Sequence, residues 1–231
     1  MGRALVTTAA SLDAAVRAWT PKTAPPPKSV VLYALYEQRL YRRLAREEKL
    51  AAAVLPRLPL PLRRVSRELL TAQRELYRLT PPLAAGAIRV GPAPPATTLL
   101  AAYREAERRF KVPWPLLAAV NFVESKFGKL RSASAAGAQG PMQFMPATWQ
   151  RYGLGGDVHD PHDAILGAAN YLHASGAPGN VRRALHAYNP SGAYVDAVLR
   201  YTRLMRTAFY ELYNWQVFVK TPNGDRRVTG P

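Results

Sequence analysis

The 231-residue sequence contains no cysteine. Disulfides, thiolate metal sites and thiol catalysis are therefore excluded, although this absence does not by itself assign a redox compartment. A chain of this length has room for one or two domains and can bury a hydrophobic core without a disulfide or a metal to support it. The sequence also lacks an apolar run long enough to span a bilayer, which argues against an integral membrane protein with a transmembrane segment.

Acidic residues are scarce relative to basic ones. Asp and Glu number 15 against 32 Lys and Arg, which gives a formal net charge of +17. Such an excess of positive charge predicts attraction to polyanions. On charge alone, nucleic acid, anionic lipid and an anionic cell wall are all candidate partners.

Two proline-rich stretches divide the sequence. PKTAPPPK at 21–28 and VGPAPPA at 90–96 both predict extended linkers. The segment before the first linker contains a possible short helix at 8–19 and is expected to be peripheral. Between the linkers, apolar residues repeat at helical spacing over 29–55 and 61–80, and the intervening prolines favour a helical hairpin.

Beyond the second linker the pattern is predominantly helical, and only VFVK near 217–220 alternates as a strand does. The expected divisions are 1–28 for the N-terminal segment and linker, 29–95 for the hairpin and second linker, 96–213 for a helical domain and 214–231 for a tail. Helices are predicted at 97–111, 114–126, 146–151, 161–174, 179–187 and 191–213.

The stretch NFVES places Glu124 near the end of an apolar helix. Pro115 suits the first turn of that helix, and from this start Asn121 and Glu124 share the face that should pack into the domain. A desolvated glutamate has a raised pKa, so it can hold a proton near neutral pH and act as a general acid towards a glycosidic oxygen. On this local pattern alone, a half-exposed Glu124 paired with Lys126 or Lys129 is the more common arrangement.

An ordered motif follows the glutamate. Glu124-Ser125 precedes Ser134, then GAQGPMQFMPAT at 137–148, and later the tripeptide AYN at 187–189. Over about 97–207 this order resembles the lytic transglycosylases of the soluble-transglycosylase type, which are relatives of goose-type lysozyme. The resemblance implies a mostly α, lysozyme-like catalytic domain, preceded here by the helical hairpin.

The chain departs from the family pattern at two places. GKLRSAS replaces an Asn-Pro-type segment after the glutamate, and a proline replaces the common leucine before Met142. Both Ser132 and Ser134 are therefore candidates for the serine of the motif. Ser134 is favoured because it stands three residues before Gly137.

The resemblance implies a role for each matching residue. Glu124 is implied to be the single catalytic acid and base on the β-1,4 bond between MurNAc and GlcNAc of peptidoglycan, with no cofactor. The acetamido oxygen of MurNAc is implied to be the internal nucleophile, after which its 6-hydroxyl closes a 1,6-anhydro ring. The residues implied to line the groove or to hold the substrate and the glutamate are Ser134, Gln143, Met145, Tyr188 and Asn189. By residue type alone, Met145 could instead be core, and Ser134 and Asn189 could be turn or cap residues.

The remaining candidate site residues lie in GGDVHDPHDAIL. Asp160 before Pro161, with Asp163 three residues later, is typical of a helix start, so we interpret these acids as capping groups rather than as a second catalytic carboxylate. His159 and His162 flank Asp160. With no cysteine and no third ligand at a recognisable spacing, a zinc site is not expected.

Peptidoglycan glycan strands are the partner that the resemblance implies, with anionic envelope polymers as possible further ligands. It also implies an extracytoplasmic location. The first residues lack the regions of a secretory signal, so we expect any such signal to be missing from this sequence. Three other interpretations stay open: a muramidase that hydrolyses the same bond, a non-catalytic wall-binding or assembly protein, and charge-driven nucleic-acid binding through the arginine-rich hairpin. Specific nucleic-acid recognition is not expected.

Overall fold

The computed structural model describes residues 1–81, 88–221 and 224–229, so the predicted divisions 29–95 and 214–231 fall partly outside the described residues, whereas the second linker at 90–96 is described. The described part is mostly α, as predicted, and contains no helix long and apolar enough to cross a membrane. The two strands are β1 (Phe218–Thr221) and β2 (Gly224–Arg227), which pair antiparallel. The helices are α1 (Gly2–Ala18), α2 (Lys28–Arg46), α3 (Glu48–Val54), α4 (Leu60–Leu79), α5 (Ala96–Phe110), α6 (Trp114–Ser125), α7 (Pro146–Tyr152), α8 (Pro161–Ala174), α9 (Val181–Tyr188) and α10 (Gly192–Tyr213).

The helix α6 lies within the core. Residues 116–122 are all buried, because the sequence LLAAVNF carries apolar side chains around the whole helix rather than along one stripe. Three helices, α5, α8 and α10, pack against it. This enclosure fixes the last turn of α6, and with it Glu124, relative to the surrounding helices.

The long helix α10 joins the two parts of the chain. It packs against α6 and α9, and also against α1, α2 and α4 from the N-terminal part. At Ala208 its backbone leaves the helical region, with φ of −127°. Beyond this kink, the ring of Phe209 lies 5.4 Å from that of Phe127 and 6.5 Å from that of Tyr103. Aromatic pairs in this distance range contribute about 0.5–1.5 kcal/mol each beyond their burial.

The N-terminal segment belongs to the core, although its sequence suggests a peripheral element. The helix α1 begins at Gly2 rather than at residue 8, and its Leu5 is fully buried. Thr8 interrupts the apolar pattern, but its hydroxyl donates to a backbone carbonyl one turn earlier at 2.7 Å, so the threonine can be buried in the helix. Trp19, just after α1, packs edge-on against Tyr210 with ring centroids 5.8 Å apart.

The helices α2, α3 and α4 form the predicted hairpin, with a break at Glu47 that divides its first arm. Tyr41 of α2 and Ser66 of α4 share a buried hydrogen bond of 3.0 Å. Gln38 donates to the carbonyl of Gln216 at 2.9 Å and accepts from its N–H at 2.8 Å. The hairpin is therefore joined to the chain beyond α10 by hydrogen bonds as well as by packing.

The six helices predicted beyond residue 96 are confirmed to within two residues at each end. The predicted strand near 217–220 corresponds to β1, whereas β2 is not predicted. The reason is that GDRR contains neither a β-branched nor an aromatic residue. This strand forms through its backbone pairing with β1, and Asp225 within it binds Arg42 of α2 at 2.8 Å.

Candidate active site

Glu124 lies in the last turn of α6, which ends abruptly. Lys126 and Phe127 have positive φ angles of +53° and +62°, and Gly128 follows at +80°. Left-handed residues of this kind terminate a helix and redirect the chain. Glu124 lines a cavity of about 740 Å³ at this point, together with Tyr194.

The carboxyl group of Glu124 accepts a hydrogen bond from the hydroxyl of Tyr194, with 2.6 Å between the hydroxyl oxygen and Oε1. Burial raises the pKa of Glu124 from 4.5 to about 7, while the Tyr194 hydrogen bond and the positive charge of Lys126 act in the opposite direction. Glu124 can therefore hold a proton near neutral pH, as a general acid requires. Because Tyr194 donates to Oε1, Oε2 is the oxygen that can carry this proton.

The polar residues beside the glutamate anchor the following loop to α6. Asn121 Nδ2 donates to the sulfur of Met142 at 2.9 Å and to the carbonyl of Pro141 at 3.3 Å. Ser125 Oγ donates to the same Pro141 carbonyl and accepts from the N–H of Gly128 at 2.8 Å. A buried polar group left without a partner costs about 1–3 kcal/mol, so these bonds hold the loop in place. In the Glu-Ser pair, the glutamate faces the cavity and the serine positions the loop.

The GAQGPMQF segment is a tight loop closed by its own backbone. Gln139 and Phe144 exchange two hydrogen bonds of 2.8 Å. Gly140 has a φ of +73°, and a Cβ at this position would lie 1.9 Å from the backbone oxygen of Val158. No larger residue fits there without a shift of the backbone. Gly140, the second glycine of the motif, is thus required because the backbone of the loop lies too close to the backbone at Val158 to leave room for a side chain.

Two predicted substrate-binding residues, Tyr188 and Asn189, lie near Glu124. The hydroxyl of Tyr188 donates to the backbone oxygen of Met142 at 2.6 Å, which ties the end of α9 to the loop. Burial, and after it the charge of Glu124, raises the pKa of Tyr188. Asn189 lines the same cavity as Glu124. The AYN segment, the loop and the end of α6 therefore meet at one place.

Gln143 and Met145 lie on the loop itself. Gln143 has a φ of +50°, and its side-chain amide donates to the carbonyl of Gly140 at 2.9 Å. Met145 is 44% exposed at the start of α7, so it is not a core residue. Neither residue lines the cavity at Glu124. Met145 offers an exposed apolar surface, whereas the amide of Gln143 bonds within the loop.

Ser134 is exposed and closes a turn in the same segment. Its Oγ accepts from the N–H of Ala138 at 3.0 Å, and its own N–H donates to the carbonyl of Ala138 at 2.9 Å. The alternative, Ser132, accepts from the N–H of Arg89 at 2.7 Å. Both serines therefore have backbone partners, as turn residues do, and contact of Ser134 with a substrate stays a prediction.

Lys126 and Lys129, the alternative partners of Glu124, donate to backbone carbonyls. Lys126 Nζ bonds to Phe122 O at 2.9 Å and lies 4.1 Å from the centre of the same residue's ring. Lys129 Nζ bonds to Trp215 O at 2.7 Å. Burial lowers the pKa of both lysines to about 7. A solvated surface ion pair is therefore not the arrangement found at Glu124.

Asp160 caps α8, as predicted. Its Oδ1 accepts from the N–H groups of His162 and Asp163 at 2.9 and 3.0 Å. His162 Nε2 lies 3.0 Å from a carboxylate oxygen of Glu105, and this hydrogen bond raises the pKa of His162. The side chains of Asp160, His162 and Asp163 could each offer one metal-ligand atom within 4.8 Å of the others. Because the helix start already engages Asp160, the cluster carries no metal assignment.

Tyr194 is the site residue that the sequence pattern does not single out. It lies in the first turn of α10, where Ser191 caps the helix, and it is only 3% exposed. A tyrosine at such a position is more simply interpreted as a core residue. The only sequence signal is its place shortly after AYN, which becomes informative once α6 and α10 are known to pack together.

Residues 101–206 match the family model of the transglycosylase SLT domain. The matched stretch includes Glu124, the GAQGPMQF loop and Tyr188. The helical fold is that of a lysozyme-like domain, and the matched family acts on peptidoglycan. This match to the SLT domain confirms the resemblance identified from the motif. No solved structure matches the chain significantly.

Proposed function

We propose that the protein is a peptidoglycan lytic transglycosylase, which cleaves the β-1,4 bond between MurNAc and GlcNAc and forms 1,6-anhydroMurNAc. The SLT domain supports activity on peptidoglycan. The observation that carries the more specific proposal is a carboxyl group, Glu124, whose pKa is raised to about 7 and which Tyr194 holds at 2.6 Å.

In the first step, protonated Glu124 donates its proton to the glycosidic oxygen as the bond to C1 of MurNAc breaks. The acetamido oxygen of the same sugar attacks C1 and gives an oxazolinium-like intermediate, so the protein need not supply a second carboxylate. Within the described residues, the other acids that line the cavity are Glu48 and Asp225, and Asp225 is already bound by Arg42 and Arg46.

In the second step, ionised Glu124 accepts the proton of the 6-hydroxyl of MurNAc. The 6-oxygen attacks C1, the bond from the acetamido oxygen to C1 breaks, and the anhydro ring closes without consuming water. Glu124 is then protonated again. Between the two steps, the hydrogen bond from Tyr194 stabilises the carboxylate.

The remaining motif residues complete this proposal. Ser134, Gln143 and Met145 on the loop would contact the substrate, while Tyr188 and Asn189 would hold the glutamate and the N-acetyl group. The net charge of +17 suits the anionic phosphates and carboxylates of a bacterial envelope, so we propose an extracytoplasmic site of action.

The test is digestion of purified peptidoglycan by the wild type and by Glu124→Gln. Glutamine keeps the volume of the side chain and an oxygen that can accept from Tyr194, so the variant should fold normally. Loss of general acid–base catalysis should lower turnover by about 10²–10⁴-fold. Glu47→Gln, at an exposed position outside the cavity, is the matched control and should stay active. Activity retained in Glu124→Gln would refute the catalytic assignment.

A muramidase could use the same site, with water in place of the 6-hydroxyl at the second step. The site geometry serves both reactions, and the chemical form of the new sugar ends separates them. Reducing ends would assign hydrolysis.

A further inference from the structure

The cavity at Glu124 extends beyond the SLT domain. Its volume of about 740 Å³ is comparable with that of ligand pockets, which are about 300–1,000 Å³. Glu124, Tyr194 and Asn189 line it, but so do residues of α2, α4 and β1, which lie outside the matched stretch 101–206. The N-terminal hairpin thus supplies a wall of the space next to the proposed reacting bond.

Positive charge dominates this wall. Arg42 and Arg46 share the single carboxylate of Asp225, at 2.8 and 3.0 Å, so one positive charge of this group is not balanced. Apart from Asp225 and Glu124, Glu48 is the remaining acid among the described residues that line the cavity. The basic residues that line the cavity are Arg42, Arg46, Arg74, Arg78, Lys126 and Lys220.

Two further groups indicate a ligand that accepts hydrogen bonds. The side-chain nitrogen of Gln73, a lining residue, is buried without a hydrogen-bond partner among the described residues. An unpaired buried donor costs about 1–3 kcal/mol, which an acceptor on a ligand would recover. Arg78, exposed in the last turn of α4, forms no ion pair within residues 1–81, 88–221 and 224–229. Guanidinium groups of this kind bind carboxylates strongly, often through two parallel hydrogen bonds.

We propose that this cavity binds the carboxylates of the peptide stem that peptidoglycan carries on MurNAc, and that the enzyme therefore prefers stem-bearing glycan to glycan stripped of peptide. The inference rests on the proposed function, because a MurNAc reacting at Glu124 brings its own stem to the adjoining wall. The hairpin, which no family resemblance covers, thereby acquires a role in substrate selection.

The kinetic test compares two double variants. Arg46→Gln with Arg78→Gln removes two cavity charges, and Arg43→Gln with Arg64→Gln removes two charges from the same helices outside the cavity. Both change the net charge equally, so general attraction to the wall is matched. The substrates are glycan strands with their stems and the same strands after enzymatic removal of the stems.

The cavity double variant should raise KM for stem-bearing strands at least about tenfold, since hydrogen bonds to charged groups are strong, and leave kcat unchanged. Its KM for stripped strands should equal that of the wild type. The control pair should not alter the ratio of the two KM values. The proposal would be overturned if the cavity double variant raised KM equally for both substrates. It would also be overturned if the wild type had the same KM for stem-bearing and stripped strands.

A binding measurement keeps this result separate from catalysis. Glu124→Gln is titrated by calorimetry with MurNAc-tetrapeptide and with the same compound whose carboxylates are amidated. Binding should weaken at least about tenfold on amidation, and the Arg46→Gln and Arg78→Gln changes should abolish that difference. Carboxylate-dependent binding without cleavage by the wild type would support the cavity and refute only the lytic function. If the wild type cleaves peptidoglycan but Glu124→Gln binds the two compounds equally, the proposed binding of stem carboxylates in the cavity is refuted.

Discussion

Glu124→Gln is expected to stabilise the protein at alkaline pH. Burial is the main cause that raises the pKa of Glu124 from 4.5 to about 7. A raised pKa in the folded state means that this group's contribution to stability is fully present below about pH 4.5 and is lost as the pH rises through about 7. Glutamine cannot ionise, so the variant avoids this loss. The residue proposed to be essential for turnover is therefore one whose ionised form destabilises the fold.

The size of the effect follows from the change in pKa. The full shift of Glu124 corresponds to about 3 kcal/mol. Its side chain is only partly shielded from solvent, which screens the charge, and glutamine gives up the charge-assisted hydrogen bond from Tyr194. We therefore expect the free energy of unfolding of Glu124→Gln, relative to the wild type, to rise by about 1–2 kcal/mol between about pH 4.5 and about pH 8.5.

Urea unfolding at each pH, followed by tryptophan fluorescence, measures this difference. Glu47→Gln is the control, because Glu47 is exposed and its ion pair with Arg43 at 2.9 Å should be worth less than about 1 kcal/mol. The free energy of unfolding of Glu47→Gln should not rise relative to that of the wild type at alkaline pH. If the difference in free energy of unfolding between Glu124→Gln and the wild type stays constant or falls as the pH rises, then burial does not raise the pKa of Glu124 as argued.

Activity of the wild type on peptidoglycan should fall as the pH rises through about 7, because the acid form of Glu124 is lost; a rate that rises above that pH would contradict this. Tyr194→Phe removes the hydrogen bond that favours the carboxylate, so the alkaline limit of the pH–rate profile should move to higher pH and kcat should fall about tenfold. An unchanged profile would exclude this role. Gly140→Ala should lower the free energy of unfolding by about 3 kcal/mol or more, because the new Cβ meets the oxygen of Val158, whereas Gly137→Ala has open space and should cost about 1–2 kcal/mol. If urea unfolding shows that both variants lose the same free energy of unfolding, the close approach at Gly140 is contradicted.

The position of Glu124 can be predicted from local sequence. Pro115 and the apolar run after it predict a helix over 114–126, and the structure has Trp114–Ser125. Helical spacing then places the glutamate on the inward face, although the same local pattern more commonly gives a half-exposed glutamate paired with a lysine. These signals are properties of adjacent residues, so they do not depend on the rest of the fold. The tight loop after the helix is local in part, because Gly137 and Gly140 mark two of its positive φ angles, whereas Gln143 at +50° carries no such signal.

The surroundings of Glu124 depend on contacts between distant segments. Tyr194 lies 70 residues beyond the glutamate, and its hydrogen bond exists because α6 and α10 pack together. The basic cavity wall combines α2, α4 and β1, none of which carries a motif for binding. Strand β2 shows the same limit, since GDRR has no strand pattern and is held by pairing with β1 and by Asp225 binding to Arg42.

Mass spectrometry of the muropeptides released by the wild type tests the proposed reaction most directly. If the 6-hydroxyl of MurNAc attacks C1, the new ends are 1,6-anhydroMurNAc, one water lighter than reducing ends, and isotopically labelled water leaves no oxygen in them. The proposed mechanism predicts these anhydro ends, and predicts that Glu124→Gln forms them about 10²–10⁴-fold more slowly. Reducing ends that carry the labelled oxygen would contradict the transglycosylase and assign hydrolysis to the same glutamate.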